Sequence, residues 1–127
     1  MSEFSNAAAP EITSIIETYL AAVASGDGAA VAALYADDAT LEDPVGSPPR
    51  QGREAIAEFY GGLQGEVSTE LIAARVVGRE AAFSFRVVTK AGGASYTVEP
   101  IDVMTFNDAG LITSMRAFWA PSDMVVG

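Results

Sequence analysis

The chain has 127 residues, half of them apolar, with 17 acidic and 7 basic side chains and a net charge of −10. That length makes one domain with enough material for a core, and the acidity argues against nucleic acid and anionic membrane surfaces as partners. With neither cysteine nor histidine, disulfides, zinc–thiolate centres and iron–sulfur clusters are excluded. Acid–base chemistry then falls to carboxylates, tyrosines or the single lysine.

Met1 to Pro10 has no basic residue ahead of an apolar stretch, so no signal peptide is expected. No apolar run approaches the length of a membrane span, and the expectation is a soluble, cytoplasmic protein with no membrane partner. Ile12, Ile15, Ile16, Tyr19, Leu20 and Val23 recur at helical spacing. They predict a first helix opening near Pro10-Glu11 and closing at Ser25-Gly26. A short second helix is predicted after Asp27-Gly28, with Val31, Leu34 and Tyr35 on one side. Ala39 to Glu42 reads as extended, and Asp43-Pro44 stops it, because a residue before proline avoids the helical region. Gly46 to Gly52 reads as a loop. A third helix carries Ile56, Phe59, Tyr60 and Leu63 and ends at Gly61-Gly62 or slightly later.

The pattern then turns to β. Thr69 to Val77, Ala81 to Thr89, Tyr96 to Phe106 and Leu111 to Trp119 read as strands, separated by turn-like breaks. Pro100 suggests an edge or a bulge near the start of its strand. Helices followed by a meander predict an α+β fold: three N-terminal helices packed on one face of a curved, mostly antiparallel sheet, with a deep apolar pocket between. A single domain spans residues 1–127.

Two carboxylates stand out. Asp102 lies inside the apolar run Val98 to Phe106, sharing a strand face with Pro100, Met104 and Phe106. Both faces of that run are largely apolar, so burial is expected whichever way Asp102 points, and burial raises a carboxyl's proton affinity. Asp43 lies in the run Thr40-Leu41-Glu42-Asp43-Pro44-Val45-Gly46. By itself, Asp43 fits an ordinary turn residue, Asp102 an edge-strand carboxylate, and Tyr19, Tyr35 and Tyr60 plain core tyrosines. Met115 and Trp119 equally fit plain core.

Nearly the whole chain nevertheless resembles the bacterial ketosteroid isomerase (steroid Δ-isomerase) family. The segments that carry the resemblance are Leu34 to Gly46, Glu58-Phe59-Tyr60, Pro100 to Met104 and Met115 to Trp119. It implies the cone-shaped fold of the nuclear-transport-factor-like group and a homodimer. The implied reaction is isomerisation of a small-molecule 3-oxo-Δ5-steroid to its Δ4 isomer. It further implies Asp43 as the general base, Tyr19 and a protonated Asp102 as oxyanion-hole donors, and Tyr60 and Tyr35 as a hydrogen-bond chain behind Tyr19. Trp119, Met115, Phe59, Phe85 and Val23 match positions lining the steroid cleft. No cofactor and no metal are implied. Departures fall in the loops Ser47-Pro48-Pro49-Arg50 and Lys90-Ala91-Gly92-Gly93 and in the N-terminal segments.

Other motifs fail. Gly26-Asp27-Gly28 follows a helix instead of a strand, which does not suit a dinucleotide loop. Asp37, Asp38, Glu42 and Asp43 form an acidic cluster without the spacing of a calcium loop. The alternatives to a steroid isomerase are a polyketide cyclase or other enone isomerase on the same fold, or a non-catalytic module binding a steroid or other apolar ligand.

Overall fold

A computed structural model describes residues 6–63 and 65–127. The signal-peptide expectation for Met1 to Pro10 therefore falls partly outside the described residues. The first helix, α1 (Ala9–Ser25), buries Ile12, Ile16, Tyr19, Leu20 and Val23 on one stripe. Pro10 and Glu11 occupy its first turn, where a missing amide costs nothing and a negative charge suits the helix dipole. Gly26 stops it in the left-handed region, at φ 76°.

Asp27 caps α2 (Gly28–Ala32), accepting the amides of Ala29 at 3.1 Å and Ala30 at 3.2 Å. A Cβ on Gly28 would collide with the Ala57 carbonyl and the Gly61 backbone, so glycine is what lets α2 lie against α3 (Arg53–Gly61). The second helix is shorter than the sequence predicts. Tyr35 does not belong to it but starts β1 (Tyr35–Glu42), opposite Ile112. Strand pairing overrides the helical pattern there: the Ile112 amide donates to the Leu34 carbonyl at 2.9 Å. Within the predicted Gly46–Gly52 loop, β2 (Arg50–Gln51) pairs antiparallel with β1.

Five longer strands follow: β3 (Glu66–Val77), β4 (Glu80–Ala91), β5 (Ala94–Val98), β6 (Ile101–Phe106) and β7 (Ile112–Phe118). A 3-10 turn (Pro121–Asp123) leads to β8 (Val125–Val126). The expected Tyr96–Phe106 strand is divided at Glu99-Pro100. Proline donates nothing to a ladder, and Glu99 turns outward to Arg86 at 2.8 Å. Accordingly β5 pairs with the outer half of β4, from Val87, and β6 with its inner half, to Ser84.

The sheet runs β2-β1-β7-β6-β4-β5-β8, with β3 also on β4. It is antiparallel except where β1 runs parallel to β7, which makes it mixed instead of a simple meander. Its inner face carries Phe83, Phe85, Asp102, Met104, Met115 and Ala117, all buried against the helices. The two faces of β6 differ sharply. Asp102, Met104 and Phe106 are buried, while Ile101 on the outer face is 48% exposed, beside exposed Phe118 and Ile72. No helix of the described residues is long and apolar enough to cross a membrane.

Candidate active site

A cavity of about 310 Å³ opens between α1, α3 and the inner face of the sheet. Helical spacing delivers Tyr19 and Val23 from α1 and Phe59 and Tyr60 from α3; strand alternation delivers Phe85 and Asp102. Asp43 and Trp119 reach the cavity from the chain just beyond the ends of β1 and β7, two strands that lie side by side.

Asp43 sits in a turn tied to β7 by the Val45 amide, which donates to the Ala117 carbonyl at 2.8 Å. The Asp43-Pro44 peptide is cis. The indole N–H of Trp119 donates to Asp43 Oδ1 at 2.8 Å. Burial raises the pKa of Asp43 above the ordinary carboxylate value, and the indole hydrogen bond works in the opposite direction. The result is a partly shielded carboxylate with its second oxygen available.

Asp102 faces Phe83 on one neighbouring strand and Ala117 on the other. It is 1% exposed, the only buried charged residue type among the described residues. Its Oδ1 has no hydrogen-bond partner among them. Burial holds its pKa well above the usual carboxylate range, the charge of Asp43 adds to that, and the neighbouring Tyr19 hydroxyl opposes it. Two carboxyl groups thus share one cavity with separated proton affinities. The more solvated Asp43 ionises first, and its charge then disfavours ionisation of Asp102.

Three tyrosine hydroxyls form a buried chain. Tyr35 Oη and Tyr19 Oη each lie 2.8 Å from Tyr60 Oη. Burial is the first cause that pushes all three phenols above their ordinary pKa, so they stay protonated. Tyr19 is also held edge-on by Phe83, with ring centroids 6.2 Å apart. Of the chain, Tyr19 and Tyr60 reach the cavity wall, and Tyr35 stands behind them.

The structure thus gathers Asp43, Tyr19, Asp102, Tyr60, Trp119, Phe59, Phe85 and Val23 around one space. Met115 is not on that wall. It packs in the core opposite Met104, 1% exposed, one inward position short of Ala117, which is the β7 residue at the cavity. Sequence reading also passed over Val87, Thr89, Val98, Leu63 and Met124 as cavity residues, and they line it too. For Val87 and Thr89 the signal was present, since both continue the inward alternation of Phe83 and Phe85. The acidic cluster disperses: Asp37 pairs with Arg53 at 2.6 Å, Glu42 with Arg116 at 3.0 Å, and Asp43 with Trp119.

Residues 16–115 match the SnoaL-like domain family. A Nocardioides simplex protein, Steroid Delta-isomerase, is 65% identical over 117 residues, which cover 91% of this chain and 95% of that protein. The chain belongs to the steroid Δ-isomerase family of SnoaL-like domains. As a member of that family it is an isomerase. Solved structures show the same cone. An epoxide hydrolase/cyclase-like enzyme of pyran ring formation in the polyether salinomycin superposes with a TM-score of 0.86 at 28% identity, over 94% of this chain and 98% of that one. A Mycobacterium tuberculosis protein superposes with a TM-score of 0.84 at 24% identity, over 91% and 96%, which bears on the fold alone.

Proposed function

We propose that this protein converts 3-oxo-Δ5-steroids to 3-oxo-Δ4-steroids by moving one proton within the substrate. Asp43, ionised, takes a proton from the carbon between the ketone and the double bond. The electron pair left behind is shared with the ketone oxygen on one side and, through the double bond, with that bond's far carbon on the other, which gives a dienolate. Asp43, now protonated, returns the same proton to the far carbon of the former double bond. The double bond then sits in conjugation with the ketone, and the enzyme is back at its starting state. No atom is gained or lost, so neither an oxidant nor a co-reactant is required.

The observation that carries this reading is the pairing, in one apolar cavity, of a base with an indole partner and a buried acid with an unpartnered oxygen. A protonated Asp102 and Tyr19 each have one proton to donate to a dienolate oxygen. Preorganised donors of this kind are worth about 3–4 kcal/mol each in a dry site. The tyrosine chain supports that role: if Tyr19 donates into the cavity, Tyr60 donates to Tyr19 and Tyr35 to Tyr60, which leaves every buried hydroxyl partnered. We also read the working unit as a homodimer. Exposed Ile72, Ile101 and Phe118 on the outer sheet face support an apolar interface there.

The test is direct. Purified protein is mixed with a Δ5-3-ketosteroid, and the ultraviolet absorbance of the conjugated enone is followed. Growth far above the uncatalysed rate is expected. Absence of growth, with the protein folded, sinks the proposal.

A further inference from the structure

The polar groups of the cavity cluster at one end, except for one. Phe83, Phe85, Val87 and Thr89 follow one another on the inner face of β4, and the last three line the cavity. Phe83 stands opposite Asp102 across the β4–β6 ladder, at the closed end. Thr89 stands six residues further along, at most about 20 Å by strand rise. The intervening wall is apolar, supplied by Phe85, Val87, Val98 and Pro100. Thr89 is half-buried, and its hydroxyl makes no hydrogen bond with the described residues. A valine would fill the same volume and continue the apolar wall, yet a hydroxyl stands there.

We infer that Thr89 is a specificity-determining residue, selecting substrates that carry an oxygen at the end remote from the reacting ketone. This rests on the reading of the cavity as a steroid site. A rigid, elongated ligand whose ketone meets Tyr19 and Asp102 must lie with its other end toward Thr89, because the apolar walls between offer no other polar partner. The threonine hydroxyl both donates and accepts, so it serves a ketone or a hydroxyl on the terminal ring. An unsubstituted terminal ring leaves the Thr89 hydroxyl without a partner once the ligand has displaced solvent from it. The discrimination comes from that asymmetry.

The experiment compares two Δ5-3-ketosteroids, one with a ketone on the terminal five-membered ring and one lacking it, in the unsubstituted protein and in Thr89→Val. In parallel, equilibrium binding is measured for two phenolic steroids that differ in the same oxygen. The unsubstituted protein is expected to favour the oxygenated member of each pair by about three- to tenfold, the worth of one net hydrogen bond. The preference should appear in KM and Kd, not in kcat, and Thr89→Val should reduce it to less than about twofold. A preference that survives Thr89→Val, or that is absent at the start, overturns the inference while turnover keeps the isomerase reading intact. No turnover of either ketosteroid overturns the isomerase reading. The phenol pair then decides the Thr89 inference alone, by the same loss or persistence of preference.

Discussion

Trp119 Nε1 donates to Asp43 Oδ1 at 2.8 Å, joining two residues 76 positions apart through the parallel pairing of β1 with β7. The bond fixes where one carboxylate oxygen lies and opposes the rise in pKa that burial imposes. Removing it with Trp119→Phe leaves desolvation unopposed, so the pKa of Asp43 rises further. As the proposed base, Asp43 is active when ionised. The acidic limb of the pH–rate profile is therefore expected to move to higher pH, with activity lost first at the acid end. A limb that stays in place or moves down contradicts the assignment.

Asp43→Asn keeps the shape of the side chain and removes the proposed base. Turnover should fall by about 10²- to 10⁴-fold or more, the range of general-base contributions. Binding of a phenolic steroid should change little, because the ligand oxygen sits at the other polar group. Near-normal turnover in this variant would assign the base elsewhere.

Asp102 offers a paired comparison. Asp102→Asn retains a donor; Asp102→Leu retains neither donor nor acceptor. The leucine variant should lose about 10²- to 10³-fold in kcat, equivalent to one oxyanion donor, and the asparagine variant markedly less. The preference of the parent for phenolic over non-phenolic steroids should shrink in the leucine variant. Equal losses in both variants would indicate a packing role only.

The same residue makes a stability prediction with a definite sign. The pKa of Asp102 is raised on folding, so the native state holds a proton that the unfolded chain releases above its ordinary value of 3.8. Stability from this group is full below that pH. It declines as pH rises from there through the raised pKa of the folded state. Asp102→Asn removes the titration. The Tm difference, variant minus parent, should therefore become more positive from about pH 4 upward. A difference that is flat across that window, measured by thermal melts, would place an ionised Asp102 in the folded protein.

Much of this fold was legible in the sequence, and the legible parts share a cause. Local patterns announce themselves: the Ile12–Val23 stripe, the stop at Gly26, the inward set of Phe83 and Phe85, and the strand face that Asp102 shares with Met104 and Phe106. Resemblance to a known family supplied the proposed catalytic set Asp43, Tyr19 and Asp102, which composition and spacing could not distinguish from turn and core residues. Where non-local pairing competes with local pattern, the reading failed. Tyr35 continues a helical stripe yet enters β1, because β7 offers its ladder. Met115 is a cleft residue by resemblance and a core residue by its local pattern; the register opposite Met104 sets it in the core and gives the wall to Ala117. Only the tertiary structure decided that Trp119 meets Asp43, that Asp102 keeps an oxygen unpartnered among the described residues, and that Thr89 ends the apolar wall. Those facts depend on which strands lie side by side and in what register. Chain periodicity determines which face a side chain takes, but only the packed sheet determines what it faces.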